Sequence, residues 1–201
     1  LEWRTLMEWL GEGGLISPAD AERTIARCAQ VQSAQHPLVR LANFGMPRVL
    51  DGKPLDIESM SQWLAERAGL QYLRIDPLKV DVGKVADSMS AIYAERHKVL
   101  PVLVKPHELV IATSQPFVTD WVAEVERQSK RSVRLVVANP LEISKFTGEF
   151  FALAKSVKAA LKSSGGSTSA SFEQLVELNK SSKQLDANDQ GVVQVVDWLW
   201  Q

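Results

Sequence analysis

Four side chains in this 201-residue chain could carry nucleophilic, metal-binding or acid–base chemistry near neutral pH: the single cysteine, Cys28, and the three histidines, His36, His97 and His107. Their spacing argues against a shared site. No histidine stands three or four residues from a second histidine or from the cysteine, which is the spacing that sets two zinc ligands on one helix face. No Gly-x-Ser-x-Gly elbow and no recognisable Cys–His setting is present, so covalent catalysis has no nucleophile to start from. A Gly-x-x-x-x-Gly-Lys-Ser/Thr loop, whose backbone would cradle phosphates, is missing as well. The glycines of Ser163-Ser164-Gly165-Gly166-Ser167-Thr168-Ser169 have no following lysine and the composition of a linker. No catalytic residue, no metal site and no cofactor is expected of these residues.

Three of the four side chains have an ordinary structural reading. Cys28 sits on a helical pattern as a small buried hydrophobe. His97 follows Glu95-Arg96 at a helix C-terminus, where the dipole favours a cation, and His107 falls in a hairpin turn. The six tryptophans carry more information. Trp63 and Trp121 lie near helical stripes and read as core, whereas Trp3 and Trp9, on a terminal helix, are candidate anchors for a partner surface.

The elements that hold these residues fall into two parts. Residues 1–70 read as a helical subdomain with a weak loop-helix repeat. In its first unit Gly13-Gly14 ends a helix, Ile16 precedes the cap Ser17 with Pro18 at the first helical position, and Ala21, Ile25 and Cys28 form the apolar stripe. In the second, Leu55 precedes the cap Asp56, and Met60 and Leu64 continue a stripe that stops before Gly69. An offset of 39 residues pairs Ile16 with Leu55, Ser17 with Asp56, Ala21 with Met60, Ile25 with Leu64 and Ala26 with Ala65. A short helix and an irregular loop are expected between them, over His36 to Arg48.

Residues 71–161 read as a small α/β sandwich. A helix carries Val82, Val85, Met89 and Ile92. Val99–Val104 and Leu109–Ala112 form a hairpin around Lys105-Pro106-His107-Glu108, a helix runs from about Phe117 to Ser129, Val133–Val137 is a third strand, and Asn139-Pro140-Leu141-Glu142 starts a last helix. The order predicts an α/β (α+β) fold with a three-stranded or slightly larger sheet covered by helices. Residues 162–190 have linker composition. Residues 191–201 read as the start of a further domain, a helix whose Val192, Val195, Val196 and Leu199 form a stripe with nothing left to cover it. With Leu1 rather than Met at the front, both ends look cut.

Composition closes other routes. At 45% hydrophobic and 23% charged residues the chain is ordinary for a globular protein. Lys plus Arg number 23 against 24 Asp plus Glu, a net charge of −1, so a nucleic-acid partner is not expected. One cysteine allows no intrachain disulfide and fits a reducing cytoplasmic compartment. No apolar run approaches the roughly 18 residues of a membrane span, so membrane association would come only through a partner.

The order Gly69-Leu70-Gln71-Tyr72, Ile75-Asp76-Pro77, Tyr93-Ala94-Glu95-Arg96-His97, Val99-Leu100-Pro101-Val102, Leu109-Val110-Ile111-Ala112, Pro116 and Val133–Ala138, followed by a helix, resembles the N-terminal region of type II secretion and type IV pilus assembly ATPases. The tail from Asn188 to Val193 looks like the opening of their next domain. The resemblance implies the N-terminal part of a homohexameric cytoplasmic motor whose ATP and Mg sites lie further along. It also implies docking on the cytoplasmic domain of an inner-membrane platform protein or, as the alternative, binding of cyclic di-GMP by the helical repeat. In the family that repeat reads Arg-Leu-Gly-x-x-Leu, a glycine four residues on, two spaced leucines and a terminal Gln. Here Leu6, Leu10 and Gly14 match it, while Thr5, Met7 and Cys28 replace the Arg, the first Gly and the Gln. In the second unit Arg67 stands at the Gln position. Leu6, Leu10, Gly14 and Arg67 are therefore the candidate dinucleotide-binding residues, with Arg67 able to pair with a phosphate or stack on a base.

Overall fold

The computed structural model describes residues 2–31 and 33–163. The expected tether beyond Ser163 and the final helix with Val192, Val195, Val196 and Leu199 lie outside the described residues.

The helical part is built by local signals that act as expected. Helix α1 (Trp3–Glu12) buries Leu6, Met7 and Leu10 and stops at Gly13-Gly14, where Gly14 takes φ +67° and the Leu15 N–H returns to the Leu10 carbonyl. Helix α2 (Pro18–Ala29) starts with Ser17, whose Oγ accepts from Asp20 N at 3.2 Å. Helix α3 (Pro37–Ala42) is capped by His36, and α4 (Ile57–Arg67) by Asp56, whose carboxylate accepts from Ser59 N at 2.7 Å. The two units are alike at their starts, where Ile16 and Leu55 are both buried beside the caps Ser17 and Asp56. It fails one turn later. Leu64 is fully buried, but Ile25, its counterpart, is 37% exposed, and Thr24 with Cys28 supplies the inward face of α2 instead. The two helices present different phases of the same pattern to one core of Leu6, Met7, Leu10, Leu38, Leu41, Leu55, Met60 and Leu64.

In the α/β part, β1 (Val99–Val104), β2 (Glu108–Thr113) and β3 (Ser132–Val137) form a sheet in the order β1-β2-β3. The expected hairpin forms: β1 and β2 are antiparallel, with a register break between Pro101 and Leu103 where the proline cannot donate. β2 and β3 are parallel, which requires a crossover, and α7 (Val122–Ser129) provides it. Tyr72 extends the sheet by a parallel bridge to Val137, held by Leu73 N to Val137 O at 2.8 Å and Val137 N to Gln71 O at 2.9 Å.

Side-chain alternation along β2 divides the core. Val110 and Ala112 face α5 (Val82–Ser88) and α8 (Pro140–Ser163) in a cluster with Val85, Ile143, Phe146 and Phe150. Leu109 and Ile111 face the other way, with Ala94, Trp121 and Val125 on α6 (Ala91–His97) and α7. The α/β fold with a three-stranded sheet is as expected.

Two expected helices are corrected. The one predicted through Val82, Val85, Met89 and Ile92 is two helices, because Met89 is extended (φ −153°) and Ser90 caps a new start, accepting from Tyr93 N; Ile92 is left 79% exposed. The helix predicted from Phe117 begins at Val122, after two turns closed by Val118 N to Gln115 O and Val122 N to Thr119 O. His97 ends α6 and His107 lies in the β1–β2 turn, as read.

Candidate functional site

The residues that could recognise a ligand or partner gather where α1 and α4 end side by side. Glycine stops place the C-terminal turns of both helices on one surface, and a basic residue in the last turn of α4 is favoured by the helix dipole. Arg67 uses that position. Its guanidinium carbon lies 4.4 Å from the Trp9 ring centroid and 5.9 Å from that of Trp63, and its Nη2 is 3.5 Å from Glu12 Oε2. Trp9 also meets Phe117 edge-on, with centroids 5.2 Å apart and planes at 68°. Phe117 is 49% exposed and Val118 39%. The result is an aromatic patch, Trp9 with Phe117, bordered by one arginine whose charge is answered by an exposed glutamate.

Trp3 belongs to a separate arrangement. Arg40 stacks over it at 5.0 Å and Arg4 at 5.3 Å. Arg40 also donates to the Cys28 carbonyl in the last turn of α2 and to the Val31 carbonyl just past it. Trp3 is thus part of the packing that ties α2, α3 and α1 together. Cys28, beneath it, is buried, and burial raises its thiol pKa above the usual value, so it is not a ready thiolate.

Of the candidate dinucleotide residues, the structure brings Arg67 and Gly14 to the surface, and Arg67 is the one with a side chain to offer. Leu6 and Leu10 are fully buried in the helical core. Gly14 occupies a left-handed turn with no atom within 4 Å of where a Cβ would stand, open to solvent but positioned by backbone need.

Sequence reasoning missed Phe117, placed inside a predicted helix, and Glu58. The carboxylate of Glu58, in the first turn of α4, accepts from Tyr72 Oη at 2.6 Å and from Asn139 Nδ2 at 3.4 Å. Burial, reinforced by that carboxylate, raises the Tyr72 phenol pKa well above its ordinary value, so it remains a donor. This bond fixes α4, and with it Arg67, against the end of β3. Thr119-Asp120 was the available signal for Phe117, since a Thr or Asp before an apolar run marks a later helix start. Glu58 had no local signal.

Among the described residues, no group of three His, Cys, Asp or Glu side chains is arranged to hold a metal, and no helix is long and apolar enough to cross a membrane.

Residues 68–157 match the MshEN domain. The type IV pilus assembly ATPase TfpB of Acinetobacter baylyi (strain ATCC 33305 / BD413 / ADP1) is 36% identical over 169 residues, 83% of this chain and 29% of that protein, so the chain spans under a third of this relative. A solved structure of MshE with cdg has the same fold, at TM-score 0.55 and 18% identity over 72% of this chain and 97% of that one. The N-terminal domain of XpsE aligns at TM-score 0.47 and 17% identity, over 74% of this chain and 95% of that one.

Proposed function

From a chain that belongs, through its MshEN domain, to the N-terminal regions of the type II secretion and type IV pilus assembly ATPases, we propose a docking and regulatory module that couples the motor to the cytoplasmic domain of an inner-membrane platform protein. The region is the N-terminal domain and not the nucleotide-hydrolysing core. ATP with Mg, and assembly as a homohexamer on the cytoplasmic side of the membrane, are then properties of the longer protein.

The observation that carries the docking reading is the patch of half-buried Trp9 and exposed Phe117 with Arg67 at its border. Aromatic and arginine side chains dominate the energetics of protein interfaces. Both rings are already held, Trp9 by Arg67 and Phe117 by Trp9, so little side-chain freedom is lost on binding. Calorimetry with the cognate platform domain is expected to show a complex that Phe117→Ala weakens about thirtyfold, the effect of losing a central contact of about 2 kcal/mol. Wild-type chain giving no heat and no complex overturns the docking reading. Binding that Phe117→Ala leaves unchanged moves the surface elsewhere.

The second reading is cyclic di-GMP binding by the helical repeat, and the observation favouring it is the placement of Arg67 between two indoles. A guanine base could take the place of one ring, with the guanidinium answering a phosphate. MshE, which shares the fold, was solved with cdg. Titration with cyclic di-GMP is expected to change the tryptophan emission of Trp9 and Trp63, and Arg67→Ala to remove that response. Unchanged emission up to high micromolar ligand sinks this reading.

A further inference from the structure

The break between α5, which packs with α8 on one face of the sheet, and α6, which packs with α7 on the other, opens a groove. Because Met89 is extended rather than helical, α6 departs from the line of α5 and leaves a space of about 520 Å³ against the C-terminal end of α7. A neighbouring space of about 410 Å³ continues it over the β1–β2 turn, and Asp87, Ser88 and Arg131 line both. Together they reach the size of small-molecule sites.

Arg131 stands where the two spaces meet. Lys130 before it takes a left-handed turn (φ 55°) that ends α7 and sends the Arg131 side chain back across the groove. Its Nε donates to the Lys105 carbonyl at 2.9 Å and its Nη1 to the Ser129 carbonyl at 3.4 Å. Both acceptors are neutral, so the guanidinium is held in a fixed pose by bonds that do not answer its charge. Lys84 and Lys105 also line the groove but pair with Asp81 at 3.1 Å and Glu108 at 2.7 Å; Asp87 is the carboxylate in the lining. Arg131 is therefore the cation best placed to receive an added anion, and a half-buried guanidinium gains most from one. Met89 and the ring of Tyr93 form the apolar wall beyond it, with Gln128 facing them.

We propose that this groove is a binding site for a small molecule carrying one anionic group, phosphate or carboxylate, held by Arg131, with its body lying along Met89 and Tyr93. It is separate from the Trp9–Arg67 surface and depends on neither reading of that surface.

Amide NMR on the full chain tests it, using inorganic phosphate, acetate and adenosine monophosphate as probes at low salt. Shifts confined to residues 86–90 and 128–131 are expected at concentrations up to about 10 mM, within reach of a single charge-assisted contact. Phosphate and acetate separate the two anion chemistries, and tighter binding of the monophosphate than of phosphate reads the apolar wall. Arg131→Gln is expected to weaken binding about tenfold. Because that change also removes a bond to the β1–β2 turn, Gln128→Trp, which fills the groove and leaves Arg131 in place, serves as the second variant and is expected to block binding equally. No shift with any probe, or shifts that survive both variants, overturns the site.

Discussion

Leu10→Ala is expected to lower the unfolding free energy by about 3 kcal/mol, within the range for a fully buried leucine whose cavity cannot collapse. Leu10 is wholly buried in the core of α1–α4, among Leu6, Leu38, Leu41 and Leu64. For a unit of this size the loss corresponds to a fall in Tm of about 10 °C. The result separates two roles. A leucine acting on a ligand would leave the melting point of the free chain almost unmoved and change only the shift that ligand produces. A core leucine lowers the melting point with no ligand present. Urea unfolding followed by circular dichroism and tryptophan emission checks it, and a loss under about 0.5 kcal/mol would contradict the core assignment. Leu6→Ala is expected to behave in the same way.

Stability is expected to fall as pH drops from 6.5 toward 4, through His36. Burial lowers its pKa from the ordinary 6.5 to about 4. The ring caps α3, its Nδ1 accepting from Leu38 N at 3.3 Å, so the neutral form carries its proton on Nε2, which is buried facing the Ser114 backbone without completing a hydrogen bond. A second proton would have to enter at Nδ1, where it meets the Leu38 N–H and destroys the cap. The folded state thus resists a proton that the unfolded chain accepts. The unfolded state binds more protons between these two values, so stability rises with pH there, is complete above 6.5 and is lost as pH falls through the window. At 1.36 kcal/mol per pH unit the full span corresponds to about 3 kcal/mol. His36→Asn keeps an acceptor at the cap and removes the titration. Its urea midpoint should be flatter than that of the wild type between pH 6.5 and 4, and parallel profiles would refute the assignment. Asp51, Asp81 and Glu108, held below the ordinary carboxylate range, add their own acid dependence lower down in both proteins.

Sequence by itself determined whatever depends on neighbours along the chain. Ser17 and Asp56 cap helices because a side-chain oxygen reaches an N–H three residues on, and Gly14 and Gly69 end helices because they accept a left-handed turn. The continuous apolar run Leu109-Val110-Ile111-Ala112 announced a strand, and the order of these pieces carried the family.

Only the tertiary structure decided which surface those pieces expose. Ile25 and Leu64 occupy matched places in the repeat, yet one is half out and the other buried, because α2 and α4 rotate differently against a shared core. Trp3 and Trp9 read alike as free anchors. Both pack half-buried on the helical core, the first under Arg40 and the second under Arg67, 37 and 58 residues away along the chain, and only Trp9 also meets the exposed Phe117. Glu58 reaches Tyr72 and Asn139, and Arg131 reaches the Lys105 carbonyl. None of these pairings is coded by spacing, since a cation–π contact or a long-range hydrogen bond depends on where the chain returns, and packing sets that.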